Sequence, residues 1–184
     1  MSKLDLATIV ERDVIIETDE GACDAALFYP SGERTWPAIL MWTDVVGLRP
    51  VFRDMGRRLA ASGYFVLVPN PFYRWSRAPV IEGATGLADP EVRQTLLALA
   101  ARFTNDGIER DSRAFVEFLD AQPQTDRTRK IGVHGYCMGG QFAFRTAAAK
   151  PDRIGAVGSF HGSFLVTDDP KSPHRLLPGI LRLV

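Results

Sequence analysis

The sequence predicts an α/β domain with a mostly parallel sheet and helices on both faces. Strand-like apolar runs alternate with stretches of helical periodicity, which is the pattern of a parallel sheet crossed by helices. One run, residues 38–41, is apolar at every position, as is typical of a strand buried on both faces. A strand, a glycine-flanked residue and a helix also follow one another directly around Cys137. Together these observations predict a single domain over residues 1–184.

The first half of the chain is predicted to supply four strands and one helix. Residues 18–21 indicate a hairpin-like turn between two strand-like runs. Pro50 suits the first position of a helix, in which Phe52, Met55 and Leu59 recur at helical spacing. The predicted strands are residues 14–17, 22–29, 36–42 and 64–68.

The second half begins with a long loop over residues 69–90, which is rich in proline and has no clear periodicity. Loops of this length in compact domains are usually functional. Asp89 is a good N-cap for the first of two helices that follow. Residues 167–178 are polar and proline-rich, and no element is placed after residue 160. The elements predicted in this half are helices at 89–103, 108–119 and 141–150, and strands at 130–134 and 154–160.

The segment from Gly135 to Gly140 is the most informative motif. It places Cys137 between glycines at positions 135 and 139, where a strand turns into a helix. This context makes G-x-S-x-G a nucleophile elbow, here with a thiol in place of the hydroxyl. The following helix would direct its free N–H groups and positive dipole end at the sulfur, which favours a thiolate and an oxyanion. The alternative is that Cys137 is a small buried residue in a tight turn, with the glycines serving packing alone.

The composition argues against several classes of protein. Twenty-two basic residues balance twenty-two acidic ones, so the net charge indicates neither a nucleic-acid partner nor a membrane surface. No run suits a signal peptide, and no apolar segment is long enough to cross a bilayer. Two cysteines do not make a disulfide framework, so a cytoplasmic location is expected, with Cys23 as a buried structural thiol.

No cofactor is expected. The three histidines, His134, His161 and His174, do not combine with carboxylates or cysteines at ligand-like spacing, so no metal site is predicted. The glycines from 135 to 140 lack the Lys-Ser/Thr pair of a phosphate-binding loop.

The chain resembles the dienelactone hydrolase family, a branch of the α/β-hydrolase fold that uses cysteine as its nucleophile. The segments Gly135–Gly140, Thr43–Leu48 and Pro69–Arg74 carry the resemblance, which covers most of residues 10–180. The resemblance implies an α/β-hydrolase-like fold and the hydrolysis of small carboxylic esters or lactones, including carboxylated ones.

The resemblance also implies a role for each matching residue. Cys137 would attack the carbonyl carbon and form an acyl-enzyme. The backbone N–H groups of Met138 and Val45 would form the oxyanion hole. Asp44 falls where the family carries a glutamate that contacts the resting thiol. Arg74 falls near a family arginine that binds the substrate's carboxylate.

Several of these positions have a structural alternative. Asp44 is one methylene shorter than the family glutamate and could simply brace its loop. Arg74 could be a solvated charge, and Arg77 is an equally placed competitor for the carboxylate. His161 lies at the carboxyl end of a predicted strand, where α/β sheets place their sites. It could contact substrate or be a hydrogen-bonded structural histidine.

The family's triad acid and base follow two later strands, which this sequence does not reach. Asp168 or Asp169 with His174 would keep the family order, but so few residues in a proline-broken loop do not readily reach separate strand ends. We therefore expect that Val184 marks a truncation, that the last strands and helices of the fold are lacking, and that catalysis is strongly reduced or lost.

Two other functional classes remain open at this point. The lost triad members favour a non-catalytic remnant or interaction module. The position of Cys137 at a helix terminus would also permit a thiol-reactive redox role. The sequence specifies neither the individual substrate nor the oligomeric state, which could be a monomer.

Overall fold

The computed structural model describes residues 8–83 and 86–180. Six strands form one sheet, in the spatial order β1-β2-β4-β3-β5-β6. Pairing is antiparallel between β1 and β2 and between β2 and β4, and parallel across β4, β3, β5 and β6. The predicted mostly parallel sheet is therefore confirmed. The strands are β1 Ile9–Thr18, β2 Gly21–Pro30, β3 Ala38–Trp42, β4 Phe65–Pro69, β5 Ile131–Tyr136 and β6 Ile154–Phe160.

Helices cover both faces of this sheet. The helices are α1 Pro50–Ala61, α2 Pro90–Ala100, α3 Asn105–Ala121, α4 Met138–Ala149 and α5 Pro173–Ile180, with a short 3₁₀ turn at Gly86–Ala88. On one face Phe52 of α1 packs with Met41 of β3. On the other face Phe115 of α3 and Phe142 of α4 pack against Trp42 of β3. Alternate residues of β3 thus point into two different cores, which explains why its run is apolar throughout.

Two parts of the sequence fold differently from expectation. α4 begins at Met138, directly after Cys137, whereas the sequence predicted a start at residue 141. α5 forms where the sequence suggested only an irregular polar segment. Its start is anchored through space, because buried Arg145 of α4 donates a hydrogen bond to the Lys171 carbonyl at 2.9 Å. Such a long-range contact leaves no local pattern in the sequence.

The sheet is covered unequally at β6. Among the described strands β6 pairs only with β5, and α4 packs against one of its faces. On the opposite face α1, β5 and β6 enclose an open groove of about 670 Å³. Phe160, at the end of β6, is 51% exposed beside this groove.

Over residues 8–83 and 86–180, no helix has both the length and the apolar character needed to cross a membrane. The predicted single domain also includes residues 1–7, 84–85 and 181–184, which lie outside the described residues.

Candidate active site

Cys137 occupies a strained turn between β5 and α4. Its backbone has φ 51° and ψ −115°, a conformation that non-glycine residues rarely adopt. Hydrogen bonds hold it there: its N–H donates to the Phe160 carbonyl at 3.0 Å, and its carbonyl accepts from Gly140 and Ser163, each at 3.1 Å. Strain of this kind costs on the order of 1–3 kcal/mol and is concentrated at functional sites. The thiol is partly exposed, whereas Cys23 is buried.

The glycines around Cys137 are required by close backbone approach. A Cβ at Gly135 would overlap the Gly139 carbonyl, and a Cβ at Gly139 would overlap the Thr43 carbonyl. A Cβ at Gly140 would overlap the Ser159 hydroxyl oxygen. The backbone is therefore crowded on both sides of the nucleophile position.

Two backbone amides beside Cys137 have no hydrogen-bond partner among the described residues. The Met138 N–H lies at the first position of α4, where no intrahelical acceptor exists. The Val45 N–H lies in the loop after β3 and likewise donates to no backbone or side-chain acceptor within the described part of the chain. Both residues line the same pocket as Cys137. This arrangement is suited to binding negative charge that develops on a carbonyl oxygen.

The pocket above Cys137 has a volume of about 570 Å³, which is in the usual range for small-molecule sites. Its walls come from α2, α3, α4 and the segment after β6. The polar side chains that line it, besides Cys137, are those of Arg93, Asn105, Gln141 and Ser163. Among its described lining residues there is no histidine, aspartate or glutamate.

Asp44 braces its own loop in this structure. Its carboxylate forms a two-point ion pair with Arg49, at 2.6 and 2.8 Å, and accepts the Val46 N–H at 2.9 Å. Both carboxylate oxygens therefore have partners other than the thiol. The contact also braces the turn that contains Val45, which lines the pocket.

The structure does not bring Arg74 to Cys137. Its guanidinium makes two hydrogen bonds to Asp111, at 2.7 and 2.8 Å, and a further one to Glu20. Asp111 lies on α3 and Glu20 in the turn between β1 and β2, and Arg74 lines a separate concavity there. The carboxylate-binding role suggested by resemblance is therefore not available to Arg74 in this arrangement, because buried Asp111 and exposed Glu20 already pair with it. Arg77 is 62% exposed and also lies outside the pocket.

None of the three histidines lines the pocket. His161 is exposed after β6, with φ 42° and its ring 6.2 Å from that of Tyr136. His174 in α5 pairs through Nδ1 with the Ser172 hydroxyl at 2.8 Å. His134 points into the groove beside α1, and burial lowers the pKa of its imidazole.

Several pocket residues have no clear signal in the sequence. Arg93 and Leu97 reach the pocket because α2 folds back over the elbow after an irregular loop. Phe164 reaches it from the segment after β6. Gln141 does have a signal in the sequence, because a residue four positions after Cys137 lies one helical turn above it.

The chain is similar in sequence and in structure to several known proteins. A carboxymethylenebutenolidase of Rhodococcus opacus is 32% identical over 121 residues, which cover 65% of this chain and 41% of the relative. A solved protein of Klebsiella pneumoniae subsp. pneumoniae superposes with a TM-score of 0.73 at 19% identity, over 90% of this chain and 65% of that one. The dienelactone hydrolase of Anabaena variabilis superposes with a TM-score of 0.60 at 21% identity, over 84% of this chain and 64% of that one.

The chain spans about half the length of the curated relatives that it matches, with 41%, 54% and 45% for three of them. The model of the dienelactone hydrolase family matches residues 23–180, which include most of β2, all of β3 to β6 and the whole elbow. The α/β-hydrolase fold expected from the sequence is shared with the solved structures. By the extent of this match, the chain belongs to the dienelactone hydrolase family.

Proposed function

We propose that this chain carries the nucleophile and the oxyanion site of a carboxylic ester or lactone hydrolase. The observation that carries the proposal is that strained Cys137 lines one pocket together with Met138 and Val45, whose backbone amides have no hydrogen-bond partner among the described residues. Family membership supports the same reaction class. The relatives are named carboxymethylenebutenolidase, a name that denotes action on a carboxylated unsaturated lactone.

The proposed chemistry has two stages. The Cys137 sulfur attacks the carbonyl carbon while the thiol proton passes to water, and the two amides stabilise the oxyanion that forms. The bond from that carbon to the leaving oxygen then breaks, and the alkoxide takes a proton from water. A thioester remains on Cys137. In the second stage a water molecule attacks the thioester carbonyl, which releases the acid and restores the thiol.

None of the described residues that line the pocket can act as a general base. We therefore expect acylation to proceed without a general base from these residues and deacylation to be slow. Loss of triad members lowers turnover by several orders of magnitude while leaving a residue of catalysis from the oxyanion site. A non-catalytic role is the second candidate function. It is favoured by the same lack of a general base among the described lining residues.

A cytoplasmic location forms part of the proposal. Both cysteines are free thiols, and this is the state that a reducing compartment maintains.

The proposal is tested by mixing the protein with p-nitrophenyl acetate. We expect an initial burst of p-nitrophenolate, with one acetyl group attached to the Cys137 peptide by mass spectrometry, followed by slow turnover. The Cys137→Ala variant should show neither the burst nor the acetylation. The matched control is Cys23→Ala, which removes the buried thiol and should keep both. An equal burst in the wild type and Cys137→Ala would remove the enzymatic claim and leave the non-catalytic role.

A further inference from the structure

We infer that the acyl group accepted by this pocket is uncharged and apolar, a short aliphatic or aromatic chain held between α2 and the segment after β6. The inference rests on the proposed hydrolysis and deepens it, because it names the class of substrate. It differs from what the relatives' name denotes, which is a carboxylated lactone. Four features of the pocket carry it.

The floor of the pocket is a fixed apolar surface. Ile108 and Phe142 are buried at 4% and 1% exposure and line the cavity beside Cys137. Phe103 also lines it, with its ring centroid 5.1 Å from that of Phe142 and 5.2 Å from that of Trp75. Close-packed aromatic side chains of this kind do not rearrange to offer polar partners. A chain entering beside Cys137 therefore meets carbon atoms.

The mouth of the pocket is apolar as well. Leu97 on α2 is 55% exposed and Phe164 after β6 is 68% exposed, and both line the cavity. Leu87, in the 3₁₀ turn, adds a third exposed apolar side chain to the same rim. Scattered exposed apolar residues need no explanation, but several converging on one cavity indicate a binding surface.

Phe164 is held at this rim in a strained conformation. Its φ is 56°, which is an outlier for a bulky side chain. The preceding residue is fixed to the elbow, because the Ser163 N–H donates to the Cys137 carbonyl at 3.1 Å. Strained residues persist where the surrounding structure holds them, and they are concentrated at binding sites. Phe164, which lines the pocket, thus directly follows the hydrogen bond that anchors the nucleophile turn.

The charges around the pocket give a carboxylate little to bind. Arg93 is the single charged residue among the described lining residues, and it lies exposed on α2. Pairing with a solvated cation contributes little free energy, and moving a carboxylate against apolar walls costs more than that pairing returns. Arg74, the other candidate, is paired with Asp111 and Glu20 elsewhere. An uncharged acyl group is therefore favoured.

The inference is tested with matched ligands that cannot be hydrolysed. Octan-2-one and 7-oxooctanoate differ only in a terminal methyl or carboxylate, and so do hexan-2-one and 5-oxohexanoate. Occupation of the pocket is measured as protection of Cys137 from iodoacetamide, followed by mass spectrometry of its peptide. Each added methylene should tighten binding by about fourfold, and each carboxylate should weaken it by about tenfold or more.

Three variants sharpen the test. Leu97→Gln should weaken the binding of octan-2-one by about fivefold. Val51→Gln changes an exposed apolar position on α1 outside the pocket and should leave the binding unchanged. Arg93→Gln should alter the protection of Cys137 neither by the ketones nor by the keto acids. The inference is overturned if the keto acids protect at least as well as the ketones, and loss of that preference in Arg93→Gln would assign it to Arg93. It is also overturned if protection does not depend on chain length or if no ligand protects.

Failure of the inference and failure of the proposed function are distinguishable. Protection reports only what occupies the pocket, because alkylation needs an accessible thiol and no turnover. Chain-length-dependent protection without an acetylation burst would keep the pocket specificity and remove catalysis. A burst with a preference for keto acids would keep catalysis and remove the apolar acyl group.

Discussion

Gly135 and Gly132 lie on the same strand, yet only one of them is dictated by close contact. A Cβ at Gly135 would overlap the Gly139 carbonyl, whereas a Cβ at Gly132 would lie 3.7 Å from Ile39 Cγ1, an ordinary contact. Gly135→Ala should therefore lower the free energy of unfolding by about 2 kcal/mol or more, as overpacking does. Gly132→Ala should change it by about 0.5 kcal/mol or less. Urea denaturation of both variants checks the difference, and equal losses would show that the elbow relaxes freely.

His134 makes the stability of the protein depend on pH. Burial lowers the pKa of its imidazole below the ordinary value of 6.5. It faces the rings of Tyr136 and Phe160, and Arg58 lines the same groove. As the pH falls below the ordinary value, the unfolded chain takes up a proton before the native protein does. The free energy of unfolding should then fall, by at most about 1.4 kcal/mol per pH unit.

The measurement is urea denaturation between about pH 7 and pH 5, where unperturbed histidines titrate. His134→Phe keeps an aromatic ring and removes the proton, so its stability should depend less on pH over this interval. The same slope in both proteins would contradict the assignment to His134.

Candidate residues of the site differed in how far local sequence could place them. The role of Cys137 could be predicted from local sequence, because the elbow is specified by glycines within a few positions of it, and the structure shows the close contacts that require them. The environment of Arg74 could not be predicted in this way, because its partners Asp111 and Glu20 lie 37 and 54 positions away in the chain. A guanidinium that meets two acids through tertiary contacts cannot be told from a substrate-binding one by its neighbours in sequence.

Among the helices, α2 is the most weakly held wall of the pocket. It buries one residue, Leu96, whereas α3 buries seven, including Ile108 and Phe115. Elements with few buried contacts open at low free energy. Amides of α2 should therefore exchange with deuterium sooner than those of α3, as followed by mass spectrometry of the two peptides.

Leu96→Ala extends this prediction. Removing the buried side chain should lower the free energy needed to open α2 by about 2–4 kcal/mol. The amides of α3 should keep their protection from exchange unless the whole domain is destabilised. Equal protection of α2 and α3 in the wild type would show that the pocket wall is as stable as the core.

At the scale of the whole molecule, the two edge strands of the sheet differ in whether their exposed apolar residue lies beside the open groove. Ile15 on β1 and Phe160 on β6 are both 51% exposed, but only Phe160 lies at the open groove beside β5. Apolar sheet surface with an unpaired edge promotes association. We expect concentration-dependent self-association, measured by sedimentation velocity, that Phe160→Lys reduces. Ile15→Lys is the matched control and should leave it largely intact. Equal reduction by both changes would point to net charge as the cause.

Local pattern by itself determined the alternation of strands and helices, the hairpin at residues 18–21 and the nucleophile turn. Residues 154–160 were predicted to be the strand that the structure contains. These features follow from periodicity, turn chemistry and glycine placement, which act within a few residues. Only the tertiary structure decided that α2 closes over Cys137, that Arg74 pairs with acids away from it, and that α5 packs on α4. Those outcomes depend on side chains far apart in sequence meeting once the sheet has formed.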